Sequence, residues 1–149
     1  MKWTYDDGGR KAAGFKGETR DCVTRAIAIA TGIDYAKVYE AINDAAQVEK
    51  PRNGRKRSSA RTGVMKPTTR KFIESLGFKW VPTMKIGSGC KVHLKAEELP
   101  AGTIIVSVSR HICTVIDGVI HDTHDPSRNG TRCVYGYFQK QKAERLSSL

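Results

Sequence analysis

The sequence lacks the features that mark several large classes of protein. No apolar run approaches the roughly 18 residues of a membrane-spanning helix, and residues 1–14 contain no apolar core typical of an export signal. The four cysteines stand singly, with no Cys-x-x-Cys pair of the kind that holds zinc. We therefore expect a cytoplasmic protein without membrane contact, metal or cofactor, whose cysteines are thiols.

Acidic residues are scarce relative to basic ones. The chain has 15 Asp and Glu against 26 Lys and Arg, giving a net charge of +11. Such an excess favours nucleic acid, anionic surfaces or acidic partners. Residues 49–66 are predicted to form a mobile basic loop, which is either simply solvated or contacts phosphates. The candidate contact residues are Arg52, Arg55, Lys56, Arg57 and Arg61.

Length and composition predict a single folded domain. The chain has 149 residues, of which 39% are hydrophobic and 28% charged. Residues 1–16 are rich in glycine and charge and are predicted to be an irregular arm, in which Trp3, Tyr5 and Phe15 are candidate packing anchors. Residues 139–149 are predicted to be a polar tail.

Three helices are predicted in the first half of the chain. Asp21 is expected to cap, through its carboxylate, a short apolar helix that ends at Gly32 and forms the buried centre of the fold. Asp34 is expected to cap a second helix from residue 35 to about residue 48. A third helix, capped by Thr68 or Thr69, should run through residue 76.

Strands dominate the second half. Alternating and β-branched residues predict strands at 78–83, 104–108, 111–116, 119–123 and 133–138. Asp117-Gly118 is a strong signal for a two-residue hairpin turn. The expected fold class is α+β, with N-terminal helices packed on a C-terminal antiparallel sheet.

The hairpin register suggests a site. If Ile116 lies opposite Val119, then His111, Cys113, Asp122 and His124 share one face. Asp122 would be a diagonal neighbour of His111, about 7 Å away. Its carboxylate can accept the Nδ1–H of His111 and leave Nε2 for a thiol, although Asp125 is an alternative acid.

Cys22 supplies the thiol, because the start of a helix stabilises a thiolate. Cys22, His111 and Asp122 together are the arrangement of a nucleophile, a base and an orienting acid. Each residue also has a plain structural interpretation: a buried helix cysteine, a satisfied edge histidine and an acid that caps a turn. Zinc is a further alternative, with ligands among His111, Cys113, Asp122 and His124, whereas His121 points the other way.

This order of residues, and the hairpin segment 102–126, resemble the papain-like cysteine peptidase superfamily in its compact form, as in bacteriocin-processing and other small bacterial or phage peptidases. In that fold the nucleophile begins the central helix, which packs on the sheet that carries the His and the acid. The resemblance implies that Cys22 is the nucleophile, His111 the general base and acid, and Asp122 the orienting residue.

The resemblance further implies a cysteine-dependent hydrolase, a peptidase, isopeptidase or amidase, or an acyl-transferring enzyme that works through a thioester on a protein or peptide. The basic composition would suit an acidic substrate. Family members often have a Gln shortly before the Cys to complete the oxyanion hole, and this sequence has none. The expected donors are therefore the backbone N–H of Cys22 and either Thr19 or another backbone group. Asp21, beside Cys22, is expected to oppose formation of the thiolate, with Arg20 and Arg25 as the cations that can offset it.

Two other functions remain open. A basic nucleic-acid-binding protein would be indifferent to substitution of Cys22. A peptidase-like inhibitor or adaptor would keep the fold without turnover. The oligomeric state is left open.

Overall fold

A computed structural model describes residues 1–50, 54 and 56–141. Over these residues the fold is α+β, as predicted, with three α-helices and one open, mixed sheet of six strands. The helices are α1 (Cys22–Thr31), α2 (Tyr35–Ala46) and α3 (Lys66–Ser75). The strands are β1 (Trp3–Tyr5), β2 (Phe78–Pro82), β3 (Thr103–Val108), β4 (His111–Ile116), β5 (Val119–Asp122) and β6 (Val134–Lys140), and a 3₁₀ turn covers Ala96–Glu98.

The sheet order is β1-β5-β4-β3-β6-β2. Neighbouring strands are antiparallel except at one edge, where β1 pairs in parallel with β5 and Trp3 lies opposite Ile120. The prediction of a purely C-terminal antiparallel sheet is therefore wrong at this edge. A three-residue strand is too short for its own residue pattern to reveal it, because alternation needs several residues to become visible.

The N-terminal arm is more ordered than predicted. Trp3 and Tyr5 are 43% and 67% exposed, so they are not packing anchors. Phe15 does act as one, since its ring lies 5.1 Å from that of Tyr35 and 4.7 Å from that of Tyr39, measured between centroids.

Helix α1 is the central helix of the fold. It packs on β3, β4 and β5 and against α2, and Ala26, Ile27 and Ala28 are almost fully buried. The Thr114 hydroxyl donates a 2.6 Å hydrogen bond to the Ala26 carbonyl, which ties α1 to β4. Gly32 ends the helix in the left-handed region, with φ of 74°, where glycine carries no side-chain penalty.

The sheet separates two apolar clusters. On the helical side, residues of α1 and α2 pack against Ile105, Ile112 and Phe138. On the opposite side Leu94 covers the second cluster, whose sheet residues are Ile104, Val106, Val108, Cys113, Val115, Ile120 and Val134. The predicted hairpin register is confirmed, because Ile116 lies opposite Val119 and Val115 opposite Ile120.

The predicted helix caps are wrong in detail. Asp21 and Asp34 occupy the N-cap positions of α1 and α2, but neither carboxylate bonds to its helix. Helix α3 begins at Lys66, ahead of the proposed Thr68 or Thr69 cap, and its N-cap is Met65. The early start is compatible with the following proline, which is favoured in a first helical turn because that turn leaves its N–H groups unpaired.

The basic segment 49–66 is anchored along part of its length. Arg52 and Arg55 lie outside the described residues. Further along, Ser58 and Ala60 are buried. The Thr24 hydroxyl donates to the Ala60 carbonyl at 2.7 Å, and Asn43 accepts the Ala60 N–H at 2.9 Å. The prediction of a mobile loop is therefore wrong for this half of the segment.

Two of the four cysteines are paired. Cys90 and Cys133 form a disulfide, whereas Cys22 and Cys113 are free. The expectation of four thiols is thus wrong, because the fold brings together two residues 43 positions apart, with 5.8 Å between their Cα atoms. The predicted polar tail begins too early, since β6 includes Gln139 and Lys140, and residues 142–149 lie outside the described part. Among the described helices, none has the length and apolar character needed to span a membrane.

Candidate active site

The candidate site lies where three elements begin or end together. His111 is the first residue of β4, Asp122 is the last residue of β5, and Cys22 is the first residue of α1. Because β4 and β5 are antiparallel, the start of one and the end of the other meet at the same end of the hairpin. The structure brings Cys22, His111 and Asp122 together there.

His111 and Asp122 form a close, shielded pair. The Nε2 atom of His111 lies 2.6 Å from Oδ2 of Asp122, and the side chains are only 10% and 3% exposed. The nitrogen is the opposite of the predicted one, which leaves Nδ1 for the thiol. Asp122 is a diagonal neighbour of His111 on the next strand. The imidazole of His111 therefore bonds to Asp122 through Nε2, the ring nitrogen farther from the backbone.

The environment favours the charged forms of this pair. Burial alone would lower the pKa of His111, but hydrogen bonds to Asp122 and Cys22 raise that pKa to about 9. Burial acts to raise the pKa of Asp122, yet the hydrogen bond and charge of His111 bring it below its ordinary value. At neutral pH the pair is an imidazolium and a carboxylate.

Cys22 is half-buried, and its environment favours the thiolate. Burial acts to raise its pKa, but a hydrogen bond and the charge of His111, the backbone N–H of Ile112 and the charge of Arg25 together lower it. Cys113 shows the opposite behaviour, because burial raises the pKa of its thiol. A thiolate beside an imidazolium is the form in which a cysteine acts as a nucleophile.

Arg25 pairs with Asp21, in line with the expected offset of that charge, and its contact with Asp122 is the feature of the site that the sequence does not indicate. Its guanidinium pairs with Asp21, the N-cap residue of α1, and lies 3.2 Å from Oδ1 of Asp122. Asp21 also accepts a 2.5 Å hydrogen bond from the Tyr35 hydroxyl, and Nε of Arg10 is 3.7 Å away. Asp21 is thus neutralised in a buried network instead of opposing the thiolate.

Of the two expected oxyanion donors, the backbone N–H of Cys22 is available and the Thr19 hydroxyl is not. The Thr19 hydroxyl donates to the Arg61 carbonyl at 2.8 Å, so its proton is not free for a substrate oxygen, contrary to expectation. The Asp21 carboxylate makes no capping bond to α1. The backbone N–H groups at the start of α1, including that of Cys22, therefore remain available to a developing oxyanion.

Asp125, the alternative acid, has a hydrogen-bond partner outside the site. Asp125 accepts the backbone N–H of Ser127 at 2.9 Å, whereas Asp122 holds His111. Of the two acids left open by the sequence, Asp122 is the one in the site.

The proposed metal ligands come together only in part. Within the described residues, the ligand atoms of His111, Asp122 and His124 lie within 4.8 Å of one another. Cys113 belongs to the second apolar cluster, and Nδ1 of His121 lies 3.6 Å from Oδ2 of Asp6. Two of the three clustered residues, His111 and Asp122, are already hydrogen-bonded to each other.

A cleft of about 520 Å³ opens beside Cys22 and His111. A second cleft, of about 620 Å³, lies near Gly8, Gly32 and Asp34 and is lined by neither cysteine nor histidine. Of these two clefts, the one beside Cys22 can present a substrate to a nucleophile.

The described cations of the basic segment have mixed roles. Arg57 donates to the Gln47 side chain at 3.0 Å, and Arg61 donates to the Lys16 carbonyl at 2.7 Å. Lys56 is exposed. Two of the proposed phosphate contacts thus hold the segment against its surroundings.

In comparisons with known proteins, no family model, curated protein or solved structure matches the chain.

Proposed function

We propose that this protein is a papain-like cysteine hydrolase, acting as a peptidase, isopeptidase or amidase. Cys22 is the nucleophile, His111 the general base and acid, and Asp122 the residue that orients His111. The main support is the imidazole of His111, bonded to Asp122 at 2.6 Å and placed against a thiol at the start of a helix. The pKa shifts of both partners favour the thiolate and the imidazolium.

The reaction follows from these positions. The Cys22 thiolate attacks a carbonyl carbon, a C–S bond forms, and the oxygen becomes an oxyanion facing the N–H groups of α1. The C–N bond then breaks, and the leaving amine takes its proton from His111. Water attacks the resulting thioester and gives a proton to His111, the C–S bond breaks, and the acid and the thiolate are released. An amine in place of water would give acyl transfer.

The pKa directions set the working pH range. The active form needs a thiolate at Cys22 and a proton on His111. It should therefore persist below the ordinary pKa range of a thiol and disappear as pH rises through about 9, where His111 loses its proton.

Alkylation by iodoacetamide tests the nucleophile without a known substrate. At pH 6.5 an ordinary cysteine, with a pKa of about 8.5, is about 1% ionised, so we expect Cys22 to react on the order of 10²-fold faster than free cysteine when corrected for intrinsic nucleophilicity. His111→Ala should remove this advantage. Mass spectrometry assigns the label, and His93→Ala, outside the site beside Glu98, is the matched control.

The proposed nucleophile would be contradicted if Cys22 reacted no faster than free cysteine and if His111→Ala left its alkylation rate unchanged. Salt-sensitive binding to nucleic acid that survives Cys22→Ala would then support the rival function.

A second measurement separates an enzyme from an inactive adaptor. With 4-nitrophenyl acetate, an enzyme should form an acetyl thioester on Cys22 and then hydrolyse it, releasing more than one nitrophenolate per protein. An adaptor would stop at a single acetyl group or remain unlabelled.

A further inference from the structure

We propose that the cleft beside Cys22 binds a polypeptide segment with an apolar side chain flanked by acidic residues. This inference rests on the proposed function and names its substrate class. It draws on three features of the cleft: an apolar floor, a rim of cations and the absence of acids among its described lining residues.

The floor of the cleft is apolar and firmly held. It is formed by Val23, Val64, Trp80, Val108, Ile112 and Phe138. The Trp80 and Phe138 rings pack with centroids 4.8 Å apart. Gly136 lies under Trp80 so closely that a Cβ there would be 2.4 Å from the indole ring. The indole ring therefore packs directly on the backbone of β6, and a preformed apolar floor suits one aliphatic or aromatic side chain.

The rim of the cleft carries four exposed cations: Arg20, Lys66, Arg70 and Arg110. Arg70 already pairs with Glu74 at 2.6 Å. The other three form no ion pair with any residue that the structure describes. Nor does any Asp or Glu line the cleft within the same described residues.

The cations come from three separate segments of the chain that line the cleft together with Cys22 and His111. Arg20 is just before Cys22, and Arg110 is immediately before His111. Lys66 and Arg70 are one turn apart on α3, and Nζ of Lys66 lies 6.0 Å from the centre of the Tyr135 ring. A chain bound beside Cys22 would therefore meet positive charge from three segments of the cleft wall, which favours acidic residues near its apolar side chain.

The same charges could attract nucleic acid, but the buried Phe138 and the proposed chemistry favour a peptide. Phe138 is only 4% exposed and packs against Trp80, so it offers no free face for base stacking. The proposed chemistry also requires a carbonyl carbon that can form a thioester, which a peptide supplies.

Protection of Cys22 from iodoacetamide reports directly on occupancy of this cleft. The probes are three capped peptides, Ac-Glu-Glu-Leu-Glu-Glu-NH₂, its Lys-Lys-Leu-Lys-Lys analogue and its Glu-Glu-Gly-Glu-Glu analogue. At low salt and millimolar peptide, we expect the first to slow alkylation about 5-fold and the other two less than about 2-fold. Added salt should weaken the protection.

Charge-reversal variants connect the protection to the rim. Lys66→Glu combined with Arg110→Glu should abolish protection by the acidic peptide, while alkylation without peptide still occurs at Cys22. Lys71→Glu, an exposed position on the same helix α3 that does not line the cleft, is the matched control and should leave protection unchanged.

The outcomes distinguish this inference from the proposed function. A Cys22 of ordinary reactivity overturns the hydrolase proposal. A highly reactive Cys22 that the basic peptide protects as well as the acidic one overturns the substrate class alone. Stronger protection by a single-stranded oligonucleotide than by the acidic peptide would identify nucleic acid as the occupant and overturn the inference as well.

Discussion

The side chains at the two ends of the β4–β5 hairpin follow different orientations relative to the sheet. Towards the turn, side chains alternate between the two apolar clusters, so that Thr114 faces α1 whereas Val115 and Ile120 pack on the opposite side. At the open end, alternation would send His111 and Asp122 to that opposite side as well. Their side chains nevertheless contact Cys22 and Arg25 of α1.

The difference shows why a polar site can be built on this apolar sheet. In mid-strand, neighbours on both strands restrict each side chain to one face. His111 and Asp122 are terminal residues of their strands, and Arg110, just before His111, has a φ of 56°. At the strand ends the side chains of His111 and Asp122 are therefore not restricted to one face, and they extend past the ends of their strands to the start of α1.

The two free cysteines make the same contrast in chemical terms. Cys22, at the helix start, lines the cleft and contacts His111. Cys113, in mid-strand, is 1% exposed, and burial raises the pKa of its thiol. Position in an element, rather than residue type, separates a nucleophile from a packing residue.

Removing Arg25 should disrupt the open end most strongly. Arg25→Gln leaves the buried Asp21 and Asp122 without their shared cation. Loss of one partner of a buried ion pair typically costs about 3–5 kcal/mol. We expect a decrease of this size in the free energy of unfolding, measured by urea denaturation, and a smaller decrease for Arg25→Lys, which keeps the charge.

Arg70→Gln is the matched comparison within the same chain. Arg70 and Glu74 are also four residues apart on a helix, but both are exposed. Such surface pairs contribute about 0.3–0.5 kcal/mol. Equal losses for Arg25→Gln and Arg70→Gln would show that the buried network stabilises the fold no more than a surface ion pair does.

Asp122→Asn should weaken the site with a smaller effect. The amide keeps the shape of the side chain but removes the charge that raises the pKa of His111. The midpoint of His111, followed by NMR of its ring proton, should fall from about 9 towards the ordinary 6.5 or so. Alkylation of Cys22 at pH 6.5 should slow about 10-fold, equivalent to about 1.4 kcal/mol.

Asp125→Asn separates this effect from a general change of charge near the hairpin. Asp125 accepts the N–H of Ser127 and makes no hydrogen bond to His111. Its substitution should leave the His111 midpoint and the alkylation rate nearly unchanged. If Asp125→Asn shifts His111 as much as Asp122→Asn does, the two acids act on His111 through their charge alone.

The local parts of the site could be predicted from the sequence. A cysteine at a helix start and the Asp117-Gly118 turn are short-range signals, and the turn fixes the register that places Asp122 near His111. The Asp21–Arg25 pair is local as well, since its i,i+4 spacing is that of neighbours on a helix surface.

The remainder depends on contacts between distant parts of the chain. Arg25 and Asp122 are 97 residues apart, and nothing local to either indicates that they meet. The Cys90–Cys133 disulfide and the parallel pairing of β1 are of the same kind. The choice of Nε2 over Nδ1 in His111 depends on a side-chain direction at a strand end, where alternation no longer decides.

Ile120→Val tests whether the two ends of the hairpin are independent. Ile120 is fully buried in mid-strand, two residues before Asp122. Ile120→Val removes one methylene, which typically costs about 0.5–1.5 kcal/mol of stability. If the mid-strand region only supports the fold, alkylation of Cys22 under native conditions should stay at the parental rate while the urea midpoint falls. A slower alkylation would instead mean that packing near the turn is transmitted to the reacting groups, and the open end would then have to be treated as part of one continuous core.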